Sequence, residues 1–269
     1  MVSQGHGKVR LAAVAGRFYP GDAAALTAEV DEMLAAAPAA TGPRPKALIV
    51  PHAGYVYSGP IAASAYKLLM QHPRPTRVVL IGPAHYVGLR GLALPDATAV
   101  ATPLGVIDLD EPLMRRARAL PQVCVSAEAH AREHSLEVQL PFLQRVLGSF
   151  TLVPLVVGHA GPAAVAEVVN ALWGDDDTLI VISTDLSHYL PYAQARALDA
   201  ATARQILAGD GEFEGDQACG VHGVRGFMVA AQHHRLAPRL LDLRNSGDTA
   251  GDRSRVVGYA SFAYSQEVA

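Results

Sequence analysis

The chain has 269 residues, half of them hydrophobic, and a formal net charge of −3 with histidine neutral. That composition supports a sizeable core in one α/β domain, and the lack of a long basic stretch argues against nucleic-acid binding. No apolar stretch reaches the length of a membrane span. The polar Met1–Arg10 segment lacks the apolar run of a signal peptide, and two cysteines cannot make a disulfide framework, so a reducing cytoplasm is the expected compartment.

Residues 1–9 are expected to form a flexible tail. Asp22 is placed to cap a helix over residues 23–36, with Leu26, Val30, Met33 and Leu34 on its apolar side. The run Ala47-Leu48-Ile49-Val50 reads as a buried strand and ends in Pro51-His52-Ala53-Gly54. A Gly-rich loop follows, then a helix predicted from Pro60, where a missing N–H costs nothing, to Met70. The loop could hold an anion but carries neither P-loop nor dinucleotide spacing. A second buried run, Val78-Val79-Leu80-Ile81, ends in Gly82-Pro83-Ala84-His85. Short strands are predicted at 91–94, 99–101 and 105–107, and a helix over 111–120. Cys124, between two valines, reads as core, and His130 reads as a solvated helix-face residue, as do His233 and His234.

Helical spacing of Leu136, Leu140, Leu143 and Leu147 predicts a helix over 134–147, kinked at Pro141 or starting near it. His134 and Glu137 are then i, i+3 neighbours. Either could orient a ligating imidazole, or the pair could be an ordinary helix start with an acidic first turn. A strand over 150–157 and a helix over 162–172 come next. A third histidine-ended run, Thr178-Leu179-Ile180-Val181-Ile182, leads into Ser183-Thr184-Asp185-Leu186-Ser187-His188. His188 is suited to moving a proton; Asp185 either works beside it or caps a following helix. Helices over 193–207 and 223–233 and two C-terminal strands, 239–244 and 256–264, complete the chain. Strands alternating with helices predict one layered α/β domain over residues 1–269, with a mainly parallel or mixed central sheet flanked by helices.

The three histidine loops carry the functional reading. In open α/β sheets ligands bind beyond the carboxyl ends of the strands, so His52, His85 and His188 should gather at one edge. Strand ends supply the fixed geometry that a metal or an acid–base site needs. Cys219, before Gly220, is either a small buried hydrophobe or a ligand or reactive thiolate. A serine triad using Ser58 or Ser187 lacks the Gly-x-Ser-x-Gly elbow.

The motifs Ala15-Gly16-Arg17-Phe18-Tyr19-Pro20, Pro51-His52-Ala53-Gly54-Tyr55, Gly82-Pro83-Ala84-His85, Glu133-His134-Ser135-Leu136-Glu137, Ser183-Thr184-Asp185-Leu186-Ser187-His188-Tyr189 and Cys219-Gly220 occur in this order. Together they resemble the Memo family, whose prokaryotic members are often called AmmeMemoRadiSam system protein B. The resemblance implies a fold similar to class III, LigB-type extradiol dioxygenases. It implies metal ligation by His52, His85 and Cys219, with His188 at the acid–base position beside Asp185. His134, Glu137 and Tyr55 become pocket-lining candidates. Fe(II) is the metal the fold implies; the softer thiolate also suits Cu or Zn. The expected activity is that of a non-haem metal-dependent redox enzyme acting on a small substrate. The alternatives are a binding or adaptor protein that keeps the pocket, and an accessory partner of a radical-SAM protein, since the chain has no iron–sulfur motif of its own.

Overall fold

The computed structural model describes residues 7–39 and 41–266. Residues 1–6 of the expected tail lie outside the described residues. The elements in chain order are β1 (Val9–Arg10), α1 (Ala23–Ala36), β2 (Ala47–Val50), α2 (Tyr55–Leu69), β3 (Arg77–Pro83), β4 (Leu92–Leu94), β5 (Ala99–Thr102) and β6 (Gly105–Asp108). They continue with α3 (Glu111–Arg118), β7 (Val123–Val125), α4 (Ala127–Ala131), a 3-10 turn at Glu137–Gln139, α5 (Leu140–Leu147), β8 (Thr151–Val157) and α6 (Pro162–Ala171). The last are β9 (Thr178–Ser183), β10 (His188–Leu190), α7 (Tyr192–Ala208), α8 (Val221–His233), β11 (Leu236–Asn245), a 3-10 turn at Ser246–Asp248 and β12 (Val256–Gln266).

The apolar runs become the centre of a large mixed sheet. Its order is β10-β12-β2-β9-β3-β8-β4-β7, and β11 also pairs with β12. The four central strands β2, β9, β3 and β8 are mutually parallel. Every residue of β2 and β9 is buried, as expected for parallel strands covered on both faces. The register sets Val50 beside Ser183 and Ile81 beside Ile182. Therefore β2, β9 and β3 reach the same edge nearly level, and the loops that follow them start side by side.

Helices α1, α2 and α5 pack on one another, and α8 packs on α6, β3 and β9. Gly223 of α8 faces Ile81 and Ile182, at 3.4 and 3.9 Å from where its Cβ would stand. A small separate sheet, β1-β5-β6, seats the N-terminal segment: Val9 pairs with Ala99 and Arg10 with Val100.

Five local expectations are corrected. Helix α2 starts at Tyr55, so Pro60 lies inside it; the Gly54 carbonyl already accepts from the Tyr57 and Ser58 N–H groups. Helix α5 starts at Leu140, because Pro141 fits the first turn where no N–H is required; residues 134–136 precede the helix. Cys124 is exposed, since β7 is the last strand of the sheet and leaves one side of that residue uncovered. His130 is buried, and its Nε2 lies 2.8 Å from the Ala93 carbonyl. Residues 184–187 are not helical either, so Asp185 caps no helix.

Candidate metal centre

His52 stands two residues beyond β2, fixed at both ends of its side chain. Ser183 Oγ, at the end of β9, lies 2.9 Å from His52 Nδ1. That hydroxyl has one proton and gives it to the Ser135 carbonyl at 2.6 Å, while Gln139 Nε2 donates to the same oxygen at 2.9 Å. His52 Nδ1 must therefore be the donor to Ser183, which leaves Nε2 with a bare lone pair. His52 Nε2 faces Cys219 Sγ at 3.3 Å. Burial, then the neighbouring imidazoles of His85, His134 and His188, holds His52 well below its ordinary value, so it is neutral at pH 7.

His85, beyond β3, is oriented by Glu133. The Nδ1 atom lies 2.9 Å from Glu133 Oε1, and the His85 backbone N–H donates to Oε2 at 2.6 Å. The carboxylate also accepts the N–H groups of His134 at 2.8 Å and Ser135 at 2.9 Å. Burial pushes Glu133 up, but the His85 and Ser135 bonds outweigh it and hold its carboxyl at about 2. With Nδ1–H committed to a carboxylate, His85 Nε2 is free as an acceptor, the arrangement usual for metal-bound histidines.

His134 completes the cluster. One ligand atom each from His52, His85 and His134 lies within 4.8 Å of the others. The His85 and His134 rings stack with centroids 4.6 Å apart, and each meets His52 edge-on, at 5.1 and 5.5 Å. Burial, followed by the His85 charge, lowers His134 to about 4. Its Nδ1 is buried, has no hydrogen-bond partner among the described residues, and stands 3.4 Å from Glu133 Oε1. Three imidazoles whose ring nitrogens converge in one place form a donor set that fits a transition metal.

Two of the three strand-end histidines, His52 and His85, thus meet, with His134 against both, while His188 is not part of the cluster. Cys219 is adjacent through His52, and its sulfur accepts the Asp185 N–H at 3.3 Å. Burial, then the Asp185 charge, pushes the Cys219 thiol up to about 12. Asp185 Oδ1 accepts the His52 backbone N–H at 2.7 Å. Burial raises Asp185 to about 7 against its bonds from His52 and Ala53. His188 begins β10, and burial lowers its pKa, with the His85 charge acting in the same direction. Its loop is tied down by Asp199, which accepts the Ser187 N–H at 3.0 Å.

Glu137 and Tyr55 direct their polar atoms elsewhere. The Glu137 carboxylate accepts the N–H groups of Ala13 and Val14 and the Tyr19 hydroxyl, and pairs with Arg10. Arg10 also donates to the carbonyls of His130 and Glu133, so this network ties the N-terminal segment to the stretch that carries His134. Tyr55 is buried and donates to the Val138 carbonyl at 2.7 Å. Glu133 and Ser183 are the orienting residues that sequence reasoning passed over. Glu133 had a signal, a carboxylate directly preceding His134; Ser183 had only its place at a strand end.

The site is open. The His85 side chain is 27 % exposed and that of His134 14 %. Phe18 lies against His134 at 4.8 Å, and the exposed rings of Tyr57, Tyr86 and Tyr189 stand near the histidine loops in sequence. Tyr189 has φ 59°, an uncommon left-handed backbone for a bulky residue, next to His188.

Fold and site together define an α/β protein with a histidine cluster, able to hold a metal ion, at the carboxyl edge of its sheet. The Memo-like protein family matches residues 10–263. A "MEMO1 family protein" of Aquifex aeolicus is 37% identical, over 96% of this chain and 99% of its own. Another, from Methanopyrus kandleri, is also 37% identical, over 95% and 98%. The chain belongs to the Memo family. The crystal structure of an uncharacterized protein of Escherichia coli K12 is similar in fold, with a TM-score of 0.52 at 16% identity, covering 81% of this chain and 99% of that one. Among the described residues no helix is long and apolar enough to cross a membrane.

Proposed function

We propose that His52, His85 and His134 hold one redox-active metal ion, with Cys219 in reach as a further donor, and that the protein is a dioxygenase-like, non-haem metal-dependent oxidoreductase. The observation that carries this reading is the commitment of both Nδ1–H groups, His52 to Ser183 and His85 to Glu133. Such commitment leaves two Nε2 lone pairs in one open site. Fe(II) is the ion the reading favours, because imidazole donors with an open side suit oxygen chemistry; zinc and copper fit the same nitrogen and sulfur donors. When bound, the ion would supply Lewis-acid and electron-transfer chemistry.

The chain's own residues supply the rest. His188 is neutral at pH 7 and serves as the proton acceptor from a substrate hydroxyl. Asp185 fixes the His52 backbone and, with its raised pKa, can exist as a neutral acid beside the thiol. Phe18 and Tyr86 flank His134 and give a flat aromatic substrate rings to lie against. The two free thiols fit a reducing, cytoplasmic compartment.

A second reading, a binding or adaptor role, draws on the site's openness and the exposed Tyr57, Tyr86 and Tyr189. One experiment separates the two. The protein is purified without oxygen, loaded with Fe(II), and assayed for metal content and for oxygen uptake with catechols. The enzyme reading expects about one ion per chain, lost in His52→Ala and His85→Ala, and uptake that depends on it. Absence of stoichiometric metal in wild-type protein after reconstitution with iron, zinc and copper would overturn it. Equal ligand binding by wild type and both variants would favour the adaptor.

A further inference from the structure

A second pair of imidazoles lies outside the cluster just described. Strand β8 is the parallel neighbour of β3, and two residues past its end stands His159, so a fourth central strand also delivers a histidine to the carboxyl edge. Its backbone is pinned: the N–H donates to the Leu89 carbonyl at 2.8 Å, and its carbonyl accepts the Gly91 N–H at 3.0 Å. The side chain is exposed. His222 comes from the first turn of α8, three residues after Cys219. The two rings meet edge to face, with centroids 5.0 Å apart.

That spacing has a chemical meaning. Two imidazoles on one four-coordinate ion, with metal–nitrogen bonds of about 2.0–2.1 Å, set their ring centres about 5 Å apart. The His52–His85 pair has nearly the same separation, 5.1 Å. Burial, then the neighbouring His159 imidazole, holds His222 below its ordinary value, so its ring is neutral at pH 7 and can offer a lone pair. Glu214 lies near enough for its negative charge to act on His222, and Arg225 opposes it. The Arg225–Glu214 approach is loose, at 3.8 Å.

We infer that His159 and His222 form a second, peripheral site for a borderline divalent transition cation of the zinc, nickel and copper class. It takes two protein nitrogens and leaves the remaining positions to water. Two imidazoles hold an ion more weakly than the triad, so the second site fills after the first. Magnesium and calcium, which require oxygen donors, are not accepted. The site rests on its own residues, not on the redox reading of the first.

The test is calorimetric titration of the full chain with zinc chloride. Wild type should take two equivalents, the second more weakly. His159→Ala and His222→Ala should each lower affinity for the second equivalent at least tenfold and leave the first in place. The double variant His52→Ala/His85→Ala should lose the first and keep the second, which separates failure of one site from failure of the other. Thermal unfolding checks that each variant is folded, and exposed His159 is the substitution least able to disturb the fold. A second equivalent that survives in both single variants, or an equivalent that no His159 or His222 substitution affects, overturns the inference.

Discussion

Glu133→Gln probes how the cluster is built. One carboxylate oxygen, Oε1, meets three donors, His85 Nδ1 and the N–H groups of His134 and Ser135, at 2.8 to 2.9 Å, and Oε2 meets the His85 N–H at 2.6 Å. Glutamine keeps the shape but makes one of these oxygens an amide NH₂, which then faces at least one N–H. A hydrogen bond to a charged group is worth about 1.5–3 kcal/mol, and a buried donor left unpaired costs about 1–3 kcal/mol more. The expected loss of stability is about 3–5 kcal/mol, in the range for breaking a buried charge interaction. His85 also loses its orienting partner, so metal affinity should fall about 10–100-fold. Urea unfolding gives the first quantity, and competition with a chromophoric chelator gives the second. Affinity within twofold of wild type would refute the orienting role. An unchanged urea midpoint would refute the hydrogen-bond accounting.

The metal-free protein should gain stability as pH rises from about 4.5 to 6.5: burial lowers His52, His130 and His134, which take up protons on unfolding in this range, and each net proton is worth about 1.4 kcal/mol per pH unit. Asp185 works in the opposite sense, because burial raises it to about 7; its contribution is complete at low pH and lost as pH rises toward that value. Three histidines outweigh one carboxyl, so a stability maximum below pH 5 in urea titrations would contradict the assignment. Gly258→Ala should destabilise by about 1–3 kcal/mol, as overpacking does, because the new Cβ would stand 2.0 Å from Asp199 Oδ2. Adding Asp199→Ala should recover part of that midpoint loss, and a Gly258→Ala protein as stable as wild type would show that the contact relaxes freely. Tyr55→Phe should cost about 1 kcal/mol for the bond to Val138 and leave zinc affinity unchanged; weakened zinc binding would place the hydroxyl in the site.

The sheet was legible because its central strands are apolar on both faces, a pattern that survives in one dimension. The meeting of His52 and His85 was legible for the same reason, since adjacent parallel strands deliver their loops to one edge. The part of His134 was not. It lies on an irregular stretch, and its position depends on Glu133 beneath it and on Arg10 and Glu137 behind it, contacts made across more than a hundred residues. Helical spacing of the leucines drew that stretch into α5, although Pro141 marks where the helix begins. The burial of His130 turns on the packing of α4 against β4, and the exposure of Cys124 on which side of the edge strand β7 is covered, and neighbouring residues encode neither. Strands β5 and β6 were legible, but β1, which joins them in the small sheet, was hidden because a two-residue strand has no period to read.

The most direct measurement of the central claim is X-ray absorption at the metal edge of anaerobically reconstituted protein. The account expects two or three nitrogen scatterers of imidazole type at about 2.0–2.1 Å, with a sulfur at about 2.3 Å if Cys219 joins them, and loss of the imidazole signal in His52→Ala/His85→Ala. An ion bound through oxygen alone, or an unchanged spectrum in the double variant, would contradict it.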